Sequence, residues 1–356
     1  MARIACALAS LLLVVACGSS SSPPSASSGP LSAAQLKGKS MNFCDYGGAL
    51  TAADKKYFGD PFGQAFGVTV KFIDYDDPPT TVHLQEQSGA VQCDIFAVTY
   101  NNFKQGDVEI FPSWLQADAK KYAGDLAGTF NIQSGDTADV IACNPDIVKK
   151  CPTNAKEFFD LQNFPGPRAM VGVAPPDDDL LFAEMAMGKT KDNVYPIDIE
   201  AAINKLKTIK SSVIWTTSGG QMQQVLTNKE VGIEFGWNGR MFTVRRDAIK
   251  NLQISWNNST VEGKGGGIGV AKNAPNKDVA FAYLDWWLKQ DSLQAQWMTV
   301  ITYPAPSSAA YKLLSPDVVA LMPYSTSHEL PISVDPVWQY DNLKKEEQAF
   351  QTFLTG

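Results

Sequence analysis

Histidine is nearly absent from this 356-residue chain: His83 and His328 are the whole supply, and they stand far apart. Paired imidazoles for acid/base work and His-rich metal sites therefore have almost no material. The sequence also lacks a CxxC pair, a GxSxG elbow and a GxxxxGK[ST] phosphate loop, which removes the usual motifs for thiol exchange, serine hydrolysis and phosphate cradling. No apolar run reaches the roughly 20 residues that a spanning helix requires. Positive charge is in short supply as well, with 30 Lys and Arg against 37 Asp and Glu and a net charge of -7, which makes nucleic acid an unsuitable partner. There is no internal repeat, and nothing calls for a metal or a cofactor.

What is present begins with an export pattern. Arg3 is the only charge ahead of an apolar stretch over residues 4–16, and that stretch closes on Val14-Val15-Ala16-Cys17. This has the form of a lipobox, in which the segment 1–16 is removed and Cys17 is acylated. Residues 17–39 are dominated by Ser, Pro, Gly and Ala, a composition that buries little apolar area and serves as a flexible tether. A plain signal peptide with a chance cysteine is the competing reading, and the tether argues against it. The expectation is a protein outside the cytoplasm, held to the cell membrane by lipid.

An oxidising compartment makes the remaining cysteines informative. Cys44, Cys93, Cys143 and Cys151 are an even set, open to three pairings. Cys143 to Cys151 is favoured by its short loop, which contains the turn Asn144-Pro145-Asp146. Cys44 to Cys93 would then join the first and third strands. Four buried free thiols are the alternative.

The folded part is longer than one core usually holds, so two lobes are expected. Strand and helix patterns alternate from Met41 onward, the mark of mostly parallel sheets flanked by helices. The expected division gives 40–138 and 267–305 to the first lobe, and 139–266 and 306–356 to the second. Val231, Ile233 and Phe235 alternate as one strand face and deliver Trp237 to the strand's carboxyl end. Asn238-Gly239 then reads as turn and cap ahead of a helix over 241–250. Ligands in open α/β sheets bind outside such strand ends, where an indole can stack on a cation or an apolar group; Trp237 as ordinary core is the plainer alternative. Three strand ends in the first lobe bring Asp45-Tyr46, Asp74-Tyr75-Asp76-Asp77 and Thr99-Tyr100-Asn101-Asn102 to one edge. Thr51 reads as the cap of the helix after the first of these strands. In the second lobe, Pro175-Pro176-Asp177-Asp178-Asp179 puts three acids at a helix start, where they serve as caps and dipole partners or, in the case of Asp177, as a ligand carboxylate. Gly263-Lys264-Gly265-Gly266-Gly267 reads as a hinge between lobes.

Several short motifs in order carry a resemblance: Gly236-Trp237-Asn238-Gly239, Thr302-Tyr303-Pro304-Ala305-Pro306, Leu313-Leu314-Ser315-Pro316 with Val318, and Trp338-Gln339. Together they resemble the extracellular solute-binding proteins of ABC importers, in particular the spermidine/putrescine-binding branch. The resemblance implies a two-lobe, type II periplasmic-binding-protein-like α/β fold that closes on a ligand without catalysis. It also implies roles: Trp237 and Tyr100 as aromatic walls, Asp177 as a pairing carboxylate, Gln339 as a polar contact, and Tyr46 or Asp45 in the loop after the first strand. Two pairing groups are missing, however. Leu180 stands where the family places a second carboxylate, and Lys264-Gly265-Gly266 where it places Trp-x-Asp. Each such contact contributes about 1.5 to 3 kcal/mol, so a polyamine needs substitutes such as Asp45, Asp74 or Asp76.

The resulting expectation is a monomeric, lipid-anchored receptor that passes a small polar solute to a membrane permease, with a polyamine-like cation as first ligand. A sugar, an amino acid or a carboxylate is the alternative within the class, with Arg240 or Lys264 meeting an anion. An anchored hydrolase lacks a nucleophile beside a base. An envelope scaffold that binds only protein is the remaining rival, and a deep pocket between lobes would argue against it.

Overall fold

The computed structural model describes residues 29–173, 175–261 and 266–356, with Asp177 by its backbone alone. Cys17, the export segment and Lys264 lie outside the described residues. In chain order, β1 (Ser40–Asp45), β2 (Thr69–Asp74), β3 (Ile95–Val98) and β4 (Asn131–Ile132) build a first sheet. The chain then leaves it for β5 (Ala138–Cys143), β6 (Arg168–Val171), β7 (Val213–Thr216), β8 (Ile233–Trp237) and β9 (Gln253–Val261) of a second sheet. It returns to the first as β10 (Gly267–Val270), and β11 (Ile332–Ser333) ends in the second. The strand orders are β2-β1-β3-β10-β4 and β11-β9-β5-β8-β6-β7.

Each sheet is mostly parallel, with one strand reversed, β10 in the first and β5 in the second. β1 runs parallel to β2 and β3, and β6 runs parallel to β7 and β8, as crossover helices require. β10 is antiparallel to both its neighbours, and so is β5. β5 enters directly from β4 of the other sheet, without a helix between them to reverse the chain. β5 is buried at every position, because it lies at the centre of its sheet with helices on both faces.

Each sheet has its own aromatic core. Phe62, Phe96 and Tyr283 anchor the first, while Phe158, Phe182 and Phe235 anchor the second, with the Phe182 and Phe235 rings stacked 3.7 Å apart. Ala310 and Met322, expected in the second lobe, pack into the first core instead. The apolar pattern of 306–322 is short and helical and gives no sign of which core it meets. Both disulfides form as favoured, Cys44 with Cys93 and Cys143 with Cys151.

Two helix starts differ from expectation. The helix Gly48–Asp54 begins ahead of Thr51, whose hydroxyl instead donates to Asp45 at 2.7 Å and accepts from the Gly47 amide at 3.0 Å. The helix after β8 runs Asn238–Asp247 with Trp237 at the cap position. Asn238 is fully buried: its Oδ1 accepts from the Ala138 amide at 3.1 Å and its amide nitrogen donates to the Thr302 carbonyl at 3.2 Å. It ties β5 and the Thr302 turn to the start of its helix.

Candidate functional site

A cleft of about 210 Å³ lies where the carboxyl ends of the first sheet's strands face the second lobe. From the first lobe it is lined by Tyr46 after β1, Asp76 and Asp77 after β2, and Tyr100 and Asn101 after β3. From the second it receives Asp139 of β5, Asp178, Asp179 and Trp237. The helix Pro336–Thr355 closes one side with Gln339, Leu343 and Glu347, whose four-residue spacing puts them on one face.

The ring walls are held by local bonding. Tyr46 meets Trp237 edge-on, with centroids 5.6 Å apart and planes at 73°. Tyr100 opens the helix Tyr100–Gln105, which Thr99 and Asn102 cap reciprocally, the Asn102 amide donating to the Thr99 hydroxyl at 3.3 Å and the Thr99 amide to Asn102 Oδ1 at 3.1 Å. Asn102 is itself buried and donates to the Pro79 carbonyl at 3.0 Å. The position of Tyr100 is thereby fixed against the neighbouring helix Pro78–Ser88.

The charge in the cleft is of one sign. Asp76, Asp77, Asp139, Asp178, Asp179 and Glu347 line it, with His83 as the one basic side chain among the described lining residues. Burial pushes the Asp178 carboxyl up to about 6. Burial also raises Asp77, partly offset by its capping bond from Thr80, and it raises Glu347, with the charge of Asp77 adding to the rise. Desolvated carboxylates that face one another are stabilised by a bound cation.

Behind Tyr46 and Trp237 lies a second chamber of about 90 Å³, walled by rings such as Phe58, Trp287 and Trp297. Asp45 sits here and not in the open cleft. It is 4% exposed and holds the Tyr46 turn by accepting from the Tyr46 amide and the Thr51 hydroxyl, each at 2.7 Å. Burial raises its carboxyl, and Asp54 beside it is raised well above the usual range by burial and by the Asp45 charge. Arg240 is fully buried, with its guanidinium carbon 5.9 Å from the Trp237 ring. Its Nη2 donates across the lobes to the Gly47 carbonyl at 3.1 Å, while Nε and Nη1 have no partner among the described residues. Gly219 makes room for it: a Cβ there would fall 2.5 Å from Nε.

The structure thus brings Tyr46, Tyr100, Trp237 and Gln339 to one cleft, sets Asp45 behind it, and leaves the Asp177 side chain outside the described residues. Sequence reasoning passed over Asp139, Asn101 and Glu347. Asp139 carried a usable signal, a lone acid in the otherwise apolar run of β5. Asn101 carried the signal of its place just after the third strand, at the edge shared with Tyr46, whereas Glu347 had none, since its importance depends on what faces it.

A family model described as bacterial extracellular solute-binding protein matches residues 58–322. The chain is 24% identical over 339 residues to the gamma-aminobutyric acid-binding protein of Pseudomonas aeruginosa, covering 90% of this chain and 92% of that one. It is 30% identical over 190 residues to the spermidine/putrescine-binding periplasmic protein of Escherichia coli, covering 51% of each. Among solved structures, the binding protein AgtB of Agrobacterium tumefaciens R10 in complex with agropinic acid superposes with a TM-score of 0.80 at 22% identity, over 90% of this chain and 99% of that one. That likeness carries the two-lobe fold.

Proposed function

The chain belongs to the bacterial extracellular solute-binding proteins, the capture components of ABC transporters and not enzymes, and from that premise we propose that it traps a small ammonium-bearing solute between its lobes. A polyamine-like cation is the first reading. The observation that carries it is the cleft's charge: six carboxylates converge with one histidine as counterweight, beside the rings of Tyr46, Tyr100 and Trp237. An ammonium group there gains charge-assisted hydrogen bonds from the acids and cation–π attraction from the rings. Gln339 adds a polar contact from the terminal helix, and Asp177 a further carboxylate at the helix start Asp177–Ala186. The closed pair of lobes then presents the solute to a membrane permease. Acylation of Cys17 holds this single-copy receptor on the outer face of the membrane.

A second reading, an amino acid or another amine that carries a carboxylate, is favoured by one observation. Arg240 lines the chamber adjoining the cleft with two guanidinium nitrogens, Nε and Nη1, that have no partner among the described residues, and either can donate to a carboxylate. The relative named for gamma-aminobutyric acid supports it. Calorimetric titration with putrescine, spermidine, gamma-aminobutyric acid, glucose and succinate tests both readings. Heat from the amines and none from glucose or succinate is expected; silence from all three amines refutes the proposal, and a clear preference for gamma-aminobutyric acid selects the second reading.

A further inference from the structure

After Met322, which packs in the first core, the chain passes a third time between the lobes and reaches β11 of the second sheet. One histidine pins this passage. His328 lies flat on Trp256 of β9, with ring centroids 3.8 Å apart and planes at 1°. Its Nε2 stands 3.0 Å from the Met322 carbonyl oxygen, and its Nδ1 stands 2.8 Å from that of Glu329. Both partners are backbone oxygens, which only accept. A neutral imidazole carries a hydrogen on one nitrogen and a lone pair on the other, so it serves one carbonyl and turns a lone pair toward the second. Both contacts are satisfied only when both nitrogens donate, which is the imidazolium form. The buried indole of Trp256 presents its face to that charge at close range.

The surroundings supply no other partner for the charge. The passage contributes the exposed Glu329, and β9 contributes no charged side chain. The helix Asn238–Asp247 contributes Arg245, which lies over the Phe242 ring that packs beside Trp256. Among the described residues no acid pairs with His328. The passage is also tied elsewhere: Tyr324 donates to Asp136 Oδ2 at 2.8 Å, and Asn238, next to Trp237, donates to the Leu321 carbonyl at 3.4 Å.

We infer that His328 is a proton-dependent clasp on the third passage between the lobes. Charged, it holds the Met322 end of the passage against β9 of the second lobe. When its proton leaves to solvent, one carbonyl loses its donor and the ring loses its charge-assisted hold on the indole, so the passage loosens. The clasp is therefore closed at neutral pH and below, and it is lost as pH rises. It does not depend on which solute the cleft takes.

The test reads the ring directly. The chain has only two histidines, so in protein labelled with 15N-histidine the His328 signals are those missing from His328→Phe, a variant that keeps a flat ring and removes both donors. At pH 7.5 an ordinary histidine is about nine-tenths neutral. Two protonated nitrogens at His328 are expected there; one protonated and one bare nitrogen overturns the clasp, and because this is read on the wild-type protein it decides even where the variant does not fold. Hydrogen exchange at the amides of Ser325, which bonds to the same Met322 carbonyl at 3.1 Å, and Ser327 reports the passage itself. Corrected for intrinsic pH dependence, it is expected to be at least about tenfold faster in His328→Phe at pH 7. It should also accelerate from pH 7 to 9 in the wild type alone, and equal exchange in the two proteins at pH 7 overturns the clasp as well.

Discussion

Single residues carry the sharpest energetic statements. Glu234 lies in β8, fully buried, with both carboxylate oxygens lacking a partner among the described residues, and burial raises its carboxyl well above the usual range. The folded chain therefore holds a proton that the unfolded chain releases at ordinary carboxylate pH, so this group's contribution to stability falls as pH rises through that interval. Replacing it with methionine, Glu234→Met, is expected to stabilise the protein at pH 8 by about 1–3 kcal/mol and to flatten the dependence between pH 5 and 8, read from urea midpoints. A loss of stability at pH 8 would contradict the assignment. Asp178, pushed up to about 6, works on binding. It becomes protonated as pH drops, so affinity for putrescine should fall by at most about tenfold per pH unit below that value, and Asp178→Asn should remove the slope in titrations from pH 7.5 to 5. At this scale the sequence was legible where backbone periodicity decides direction, as for Trp237 at the end of an alternating strand. It misled at Asp45, because β1 loses its alternation over Phe43, Cys44 and Asp45, all buried, and parity no longer tells which way a side chain faces.

Among the elements, the helix Asn238–Asp247 does the most to place the site, since Trp237 and Arg240 both hang on its first turn. It packs against the end of the helix Asp291–Ile301 at Gly239, where a Cβ would come within 2.4 Å of the Ile301 carbonyl and 2.5 Å of the Tyr303 ring. No side chain fits. Gly239→Ala is expected to lower stability by about 1–3 kcal/mol in a thermal melt, because the helix must retreat from its partner. A melt unchanged from wild type would show that the approach is looser than described. The sequence presented Asn238-Gly239 as a turn, which is what those residue types do locally. Their actual use, a buried amide bonding to two distant segments beside a glycine that admits a neighbouring helix, depends on tertiary contacts that periodicity does not encode.

For the whole molecule, the two-lobe plan was legible because strand and helix patterns alternate and because a chain of this length needs two cores. Both disulfides followed from loop length and strand adjacency. The third passage between lobes was not legible, since short amphipathic segments such as Ser308–Tyr311 pack equally well on either core until the strands are placed. Nor was the uniform sign of the cleft, which draws its acids from both lobes and from a helix near the end of the chain. That convergence is the heart of the account. The most direct test is a crystal structure of the protein grown with putrescine or spermidine. The account predicts ligand density in the cleft beside Tyr46 and Trp237, with an ammonium group within hydrogen-bond reach of Asp139, Asp178 or Asp179. Ligand density elsewhere on the molecule, with the space beside Trp237 empty, would contradict it.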